Sequence, residues 1–158
     1  MSTRNKILTV EALASVVRDA RAAGRTVALA NGLFDLLHVG HLRYLEAAAR
    51  EGDHLAVAVN SDRSARALKG PDRPLVPGAE RAELIAGFGC VTWVTVFDDL
   101  TVEPVLRAVL PHVHCKGTDY TADTVPEREV ARSLGIRVAI VGDTKRHATS
   151  EMLRRLRG

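Results

Sequence analysis

Of the 158 residues, 46% are hydrophobic, which excludes a generally disordered chain and suffices for one packed core. A net charge of only +3, with three Phe, two Tyr and one Trp, argues against a nucleic-acid-binding protein, whereas a small anionic ligand would suit this charge. No apolar run is long enough to span a membrane, no signal peptide is visible, and two cysteines fit a reducing compartment, so we expect a cytoplasmic protein without membrane contacts.

Taken in chain order, the apolar runs predict short strands that alternate with helices. Thr9 is suited to cap a first helix, residues 10–23, which Gly24 would end. Strands are predicted at residues 26–30, 54–59, 92–97, 112–115 and 136–141. Further helices are predicted at residues 39–50, 61–68, 80–88, 102–110, 127–134 and 149–156, with a long polar loop at residues 69–78.

This alternation, with connections too long for hairpins, predicts an α/β fold. We expect a five-stranded parallel sheet covered by helices on both faces, in a single doubly wound, Rossmann-like domain. Ligands of such sheets bind beyond the carboxyl ends of the strands. His112 and His114, which alternate along the fourth predicted strand, are interpreted as structural or surface residues.

The segment NGLFDLLHVGH, residues 31–41, joins the first predicted strand to the next helix. Backbone N–H groups at a helix start lack partners within the helix, and Gly32 and Gly40 let a ligand approach the backbone closely. His38 and His41 are three residues apart, so we expect them on one helix face, where both can donate to phosphate oxygens. Two alternatives are half a zinc site, for which no third ligand is evident, and a structural histidine pair.

Polar and basic residues also follow the second, fourth and fifth predicted strands, at the same edge of the sheet. Lys69 lies where a cation could close over phosphates, although a surface lysine without a role is the alternative. Arg81 follows a helix start, where the helix dipole disfavours a cation, and this favours an anionic partner for it. Thr149 and Ser150 open the last helix and could hold a triphosphate, and Thr149 could equally be an N-cap.

The pattern G-x-F-D-x-x-H-x-G-H at residues 32–41 resembles the HxGH signature of the nucleotidyltransferase superfamily, which includes cytidylyltransferases and phosphopantetheine adenylyltransferase. It differs from the Gly-x-Gly-x-x-Gly fingerprint of dinucleotide-binding proteins. Further segments are similar to the adenylyltransferase domain of bacterial heptose biosynthesis. They are VAVNSD at 57–62, LKG at 68–70, RP at 73–74, ER at 80–81 and KG-x-DY at 116–120.

This narrower resemblance covers about residues 26–156. It implies adenylyl transfer from ATP to D-glycero-β-D-manno-heptose 1-phosphate, which gives ADP-heptose and pyrophosphate. Many relatives are fused to a sugar kinase, for which this chain has no room, so we expect a stand-alone transferase. Residues 1–25 would form an N-terminal helical segment and residues 26–158 the nucleotide- and substrate-binding core.

The resemblance also implies roles for individual residues. The catalytic residues would be His38, His41 and Lys69. The nucleotide would be bound by Gly32, Phe34, Gly40, His41, Arg81, Lys116, Gly117, Asp119, Gly142, Thr149 and Ser150. The sugar phosphate would be bound by Asn31, Asp35, Lys69 and Arg73. Mg²⁺ would be held chiefly by the triphosphate, so no metal site made by the protein is predicted. The Ser/Thr-rich motif of the superfamily has Ala148 here, so one expected hydroxyl is missing.

Two other functions stay open at this point. One is a cytidylyltransferase that acts on glycerol 3-phosphate or a related polyol or amino-alcohol phosphate. The other is a nucleotide-binding module without turnover, against which the presence of His38, His41 and Lys69 argues. We also expect a homodimer or a larger homo-oligomer.

Overall fold

A computed structural model describes residues 2–144 and 149–158, and its centre is a parallel five-stranded sheet. The strands are β1 (Val27–Gly32), β2 (His54–Asn60), β3 (Trp93–Phe97), β4 (Val113–Lys116) and β5 (Arg137–Ile140), and their order in the sheet is β3-β2-β1-β4-β5. Every observed strand overlaps a predicted one, and the predicted α/β fold with a parallel sheet is confirmed.

Helices precede β1, connect successive strands and follow β5. They are α1 (Val10–Ala22), α2 (Val39–Ala49), α3 (Asp62–Lys69), α4 (Gly78–Ala86), α5 (Glu103–Val109), α6 (Arg128–Ser133) and α7 (Thr149–Leu156), preceded by a 3-10 helix at Thr3–Lys6. The Thr9 side chain accepts a hydrogen bond from the Ala12 N–H at 3.1 Å, as predicted for the cap of α1. Lys69 is the last residue of α3 instead of the first residue of a loop. Within the described parts of the chain, no helix is long and apolar enough to cross a membrane.

Two hydrophobic cores cover the two faces of the sheet. Successive side chains of a strand point to opposite faces, so Ala28 and Ala30 of β1 join one core and Val27 and Leu29 the other. The first core is closed by residues of α2 and α4, including Leu45, Ala48, Ala82 and Ile85. The second is closed by residues of α1, α5 and α6, including Leu13, Val17, Val105, Leu106 and Ala131. Burial of these apolar faces holds the helices against the sheet.

The strand order creates a crevice beside β1. From β1 the chain proceeds through β2 to β3 on one side and then returns to place β4 and β5 on the other. The order therefore reverses between β1 and β4, and the connections that leave these two strands diverge to opposite faces of the sheet. In open parallel sheets this reversal point is where ligands bind.

Candidate active site

A cavity of about 970 Å³ opens at the carboxyl edge of the sheet, at this reversal point. It is lined by every residue predicted to contact nucleotide or sugar phosphate except Arg81. The lining residues among those predicted are Asn31, Gly32, Phe34, Asp35, His38, Gly40, His41, Lys69, Arg73, Lys116, Gly117, Asp119, Gly142, Thr149 and Ser150. Segments far apart in the sequence therefore meet at one site, although several of their side chains have partners that the sequence did not predict.

The two signature histidines cap the start of α2. The Gly40 N–H donates to Nδ1 of His38 at 3.1 Å, and the His38 N–H donates to Nδ1 of His41 at 3.2 Å. This reciprocal arrangement is a capping box, a role that Ser or Thr and Glu or Gln usually fill. Since Nδ1 is the acceptor in both rings, a neutral ring carries its proton on Nε2.

The placement of His38 differs from the prediction. Its backbone is extended, with φ −141° and ψ 174°, and the helix begins only at Val39. The pair therefore does not share a helix face. The capping box instead brings the two rings together, with their centroids 3.9 Å apart and their planes tilted by 30°.

The Phe34 ring packs against His41. Its side chain is buried in the core of the α2 face, and its ring centroid lies 5.5 Å from that of His41. The backbone of Phe34 has φ +53°, an uncommon conformation for a residue with a side chain. A Cβ on Gly32 would lie 3.2 Å from Cε2 of this ring, so the glycine leaves room for Phe34 as well as for a ligand.

The Asp35 carboxylate, which was predicted to face the sugar phosphate, accepts hydrogen bonds from the protein in this structure. The side chain is 2% exposed, and it accepts hydrogen bonds from Arg73 Nε at 2.8 Å and from the N–H groups of Leu75 and Val76 at 2.8 and 3.0 Å. Burial by itself would raise the pKa of Asp35, but these donors bring it below its ordinary value. Asp35 thus fixes the segment that carries Arg73, which reaches the cavity edge.

Arg81, predicted to bind nucleotide, is placed by the structure outside the cavity lining. The side chain is 0% exposed, and its Nη1 donates to the carbonyl oxygens of Leu33 at 2.6 Å and Asn60 at 2.7 Å. Nε donates to Val76 O at 2.8 Å, and Nη2 lies 2.9 Å from Asp62 Oδ1. The guanidinium joins the ends of β1 and β2 to the segment before α4, and it lies behind the cavity wall.

The start of α7 lies against the loop after β1. The Thr149 hydroxyl donates to Asp35 O at 2.8 Å and lies 3.2 Å from Leu36 O, so its single proton is used within the protein. Ser150, predicted to hold a triphosphate together with Thr149, is exposed and lines the cavity. Gly142 has φ +96°, and a Cβ there would lie 3.3 Å from Tyr44 Cα, so it lets β5 end close to α2. Ala148 lies outside the described residues.

Lys116 ends β4 with a largely buried side chain. Its Nζ lies 4.5 Å from the centre of the Tyr120 ring, a cation–π contact. Burial lowers the pKa of Lys116, and the nearby carboxylates of Glu127 and Asp119 oppose that shift. The next residue is Gly117, where a Cβ would lie 3.1 Å from Asp119 Oδ1, so the glycine allows the Asp119 side chain to fold back.

Glu127 and His114 are among the residues at or beside the site that were not predicted to belong to it. Glu127 lines the cavity, is 4% exposed, and its buried Oε2 has no hydrogen-bond partner among the described residues. His114 is fully buried, and its Nε2 lies 2.9 Å from Asn31 Oδ1. His114 lies within β4, and Glu127 follows it, so the sequence places both near a strand that ends at this edge. The alternation of His114 with apolar residues favoured its interpretation as a structural residue. His112 is structural as predicted, since its Nδ1 accepts the Val27 N–H at 3.0 Å.

The alternation of strand side chains divides the cavity between the two faces of the sheet. His38, His41 and Gly142 lie on the face covered by α2. Asn31 follows Leu29 by two residues on β1, and Lys116 follows His114 by two on β4, so Asn31 and Lys116 lie on the face covered by α5 and α6. Glu127 precedes α6 on that same face. One half is therefore built around paired imidazoles and the other around an amide, an ammonium and a carboxylate.

Comparisons with known proteins agree with this architecture. Residues 29–154 match the family model described as cytidylyltransferase-like. The chain is 41% identical over 152 residues to the bifunctional protein HldE of Geotalea uraniireducens, covering 96% of this chain and 31% of that protein. It is 40% identical over 151 residues to the bifunctional protein HldE of Pseudomonas fluorescens, covering 96% and 32%. The chain thus spans about a third of the length of these relatives.

A solved structure shows the same fold. The lipopolysaccharide core biosynthesis protein from Thermoplasma volcanium superposes with a TM-score of 0.67 at 24% sequence identity, over 77% of this chain and 100% of that chain. The cytidylyltransferase-like family model, which matches residues 29–154, spans well over half of this sequence. The chain belongs to the cytidylyltransferase-like family.

Proposed function

We propose that this chain is a nucleotidyltransferase that transfers the adenylyl group of ATP to D-glycero-β-D-manno-heptose 1-phosphate, with ADP-heptose and pyrophosphate as products. The observation that carries the proposal is the pair His38 and His41, held against each other at the reversal point of the sheet in a cavity lined by Lys69, Arg73 and Lys116. The heptose acceptor is supported by similarity to the HldE proteins and by the segments shared with heptose adenylyltransferases.

The proposed chemistry needs positioning and charge stabilisation more than a base. An oxygen of the sugar phosphate attacks the α-phosphorus of ATP, the new P–O bond forms, and the bond from the α-phosphorus to the bridging oxygen breaks. Pyrophosphate leaves with the electron pair of that bond. The nucleophile is already an anion, so no proton has to be removed from it. Donors aimed at the α-phosphoryl oxygens stabilise the charge that develops there.

The capping box suggests how the histidines take part. With Nδ1 of both rings accepting backbone N–H groups, the Nε2–H groups are the donors that would contact phosphate oxygens when ATP binds. Because the rings are fixed by the helix start and by Phe34, these donors need no reorganisation during the reaction. Such preorganisation favours the transition state over the ground state.

We propose that the two substrates occupy the two halves of the cavity. ATP would lie on the α2 face, with its triphosphate near Gly40, His41 and Ser150 and its nucleoside near Gly117, Asp119 and Gly142. The sugar phosphate would lie on the α5 and α6 face, near Asn31 and Glu127. Lys116, assigned to the nucleotide from sequence, lies on that second face and would instead bind the acceptor phosphate. Lys69 and Arg73, at the cavity edge, would neutralise phosphate charge from both substrates.

Mg²⁺ would enter with the triphosphate. Within residues 2–144 and 149–158, no three His, Cys, Asp or Glu side chains converge on a metal position. Mg²⁺ that is bound mainly through substrate phosphates and water suits such a site. We also propose that the protein acts in the cytoplasm as a homodimer or larger homo-oligomer.

The test is a panel of nucleoside triphosphates against a panel of phosphorylated acceptors, with release of pyrophosphate as the readout and Mg²⁺ present throughout. We expect turnover with ATP and heptose 1-phosphate and background release with either alone. Faster turnover of CTP with glycerol 3-phosphate would replace the heptose assignment by the cytidylyltransferase alternative. Tight ATP binding without pyrophosphate release from any pair would favour the non-catalytic module. His41→Ala serves as the matched control for release by a contaminating enzyme.

A further inference from the structure

A buried histidine contacts the amide of a cavity residue from behind. His114 lies beside Leu29 in the register of β4 on β1, fully buried, and its Nε2 is 2.9 Å from Asn31 Oδ1. Asn31 itself lines the cavity, at the carboxyl end of β1. The other ring nitrogen, His114 Nδ1, is buried and has no hydrogen-bond partner among the described residues.

These contacts fix the protonation of the ring. Burial, with a smaller effect of Lys116, lowers the pKa of His114 to about 3, so the ring is neutral at physiological pH. A neutral imidazole has one N–H and one acceptor nitrogen. With the proton on Nδ1, the structure would contain a buried N–H without a partner, which is rarer and costlier than an unused acceptor. The proton therefore resides on Nε2, and His114 donates to Asn31.

The direction of this bond determines how Asn31 faces the cavity. An amide presents an acceptor at one end and two donors at the other, and rotation by 180° about χ2 exchanges them at little steric cost. Because the His114 Nε2–H requires an acceptor, Oδ1 of Asn31 stays on the protein side. The Nδ2 donors are left on the open side, on the same face of the sheet as Lys116, where they add to the attraction for an anion.

We propose that His114 is a positioning residue that holds the Asn31 amide with its donors toward the phosphate of the acceptor substrate. This inference rests on the proposed function only for the identity of that substrate. The preference for a phosphate oxygen follows from the hydrogen bond between the two side chains. Without His114, the Asn31 oxygen could turn toward the cavity and repel the phosphate.

Kinetics of two variants separate positioning from packing. His114→Leu fills a similar volume with an apolar side chain but removes the donor to Asn31. We expect the KM for heptose 1-phosphate to rise on the order of tenfold, as for the loss of one hydrogen bond between Asn31 and the charged phosphate. The kcat and the Kd for ATP should stay within about twofold of wild type. His114→Gln, whose side-chain N–H can donate to Asn31, should restore most of the loss.

Thermal stability distinguishes the two roles in the same variants. His114→Leu removes an unpaired buried nitrogen, so its Tm should equal or exceed that of wild type. The matched control is His112→Leu, which leaves the Val27 N–H unpaired and should lower Tm while leaving the acceptor KM unchanged. A His114→Leu protein with lower Tm and an unchanged acceptor KM would show a packing role and overturn the inference.

A measurement on the folded wild-type protein does not need turnover. Nitrogen-15 NMR of the histidine ring should show His114 with its proton on Nε2 throughout pH 5–8, and a proton on Nδ1 would overturn the inference. Addition of inorganic phosphate should shift the Asn31 side-chain amide signals in wild type and much less in His114→Leu. Equal shifts in both proteins would also overturn it. If the wild-type protein turns over no substrate pair but gives the expected NMR results, the proposed reaction is contradicted and this inference is not.

Discussion

The hydroxyl of Thr149 donates to the main-chain oxygen of Asp35 at 2.8 Å and thereby joins the first residue of α7 to the loop after β1. The same residue, Asp35, uses its carboxylate to hold residues 73–76. Three segments that surround the proposed triphosphate position are therefore linked through one aspartate. This linkage lets a substitution in α7 affect the geometry of the signature loop.

The first prediction concerns Thr149. Thr149→Val keeps the shape of the side chain but cannot donate to Asp35 O, so we expect the Kd for ATP to rise by roughly five- to tenfold, the effect of about one hydrogen bond. Thr149→Ser keeps the donor and should bind ATP nearly as wild type does. Calorimetric titration with ATP measures both. A normal Kd for the valine variant would mean that α7 is held by other contacts.

The second prediction separates the chemical role of His41 from its role as a helix cap. His41→Ala should lower kcat by on the order of 10²–10³, comparable to the loss of one oxyanion-hole donor. It should also cost about 1 kcal/mol of unfolding free energy, because the His38 N–H loses its acceptor.

The matched variant is His41→Gln, since Gln is a usual residue at this position of a capping box. It should keep the stability of wild type and still lose kcat, which single-turnover kinetics and urea unfolding can establish. If kcat of His41→Gln stays near wild type, the imidazole is not the donor that we propose.

The third prediction is a pH dependence of stability caused by Asp35. The pKa of Asp35 in the folded protein lies below its ordinary value. The carboxylate therefore stabilises the folded state fully above the unfolded pKa of about 3.9, and this stabilisation is lost as the pH falls from there toward the folded pKa. Asp35→Asn should cost about 3–5 kcal/mol at pH 7, because it breaks a buried ion pair. Urea unfolding should show the difference between the two proteins shrinking below pH 4. A constant difference across that range would contradict the linkage.

The fourth prediction concerns Arg81 and tests its structural role. Arg81→Lys keeps the charge but cannot reach the three carbonyl oxygens, and we expect a loss on the order of 3–5 kcal/mol of unfolding free energy. The ATP Kd of the folded protein should change by less than about threefold. Lys69→Met is the opposite control, because the Lys69 side chain is exposed at the cavity edge. This variant should lose activity while its unfolding free energy stays unchanged. Weaker ATP binding by Arg81→Lys at normal stability would support the nucleotide-binding role that was predicted from sequence.

The fifth prediction assigns Glu127 to the acceptor. A carboxylate in the half of the cavity that also contains Asn31 and Lys116 can accept hydrogen bonds from sugar hydroxyl groups. Glu127→Gln should raise the KM for heptose 1-phosphate by about tenfold while the unfolding free energy stays equal or rises, because a neutral amide is less costly to bury than an unpaired carboxylate oxygen. The KM for ATP is the internal reference. An equal change in both KM values would place Glu127 outside the acceptor site.

The strands and helices could be predicted because each depends on a local pattern. The apolar runs of β1 and β2 are buried on both faces, and a cap such as Thr9 acts on residues three positions away. The signature segment was also identifiable, since its glycines and histidines are close in sequence. These features require no knowledge of which distant segments meet.

The contacts at the site that could not be predicted are those in which distant residues decide what a side chain touches. The dipole argument for Arg81 considered only its own helix, whereas the carbonyl groups of Leu33 and Asn60 come from two other segments. Recognition of His114 requires the register of β4 against β1, which no local pattern contains. The contact between the His38 and His41 rings is an exception, because it follows from a local capping box formed by two histidines three residues apart.

The division of the cavity between the two faces of the sheet has a consequence for how this family can diversify. Residues that we place around the acceptor project from β1, β4 and the segment before α6 toward one face, and the histidine half projects toward the other. We therefore expect substitutions at Asn31, His114 or Glu127 to alter which phosphorylated compound is accepted while α2 and its capping histidines remain undisturbed. If the proposed division is correct, grafting these positions between relatives gives transferases with new acceptors and an unchanged nucleotide half.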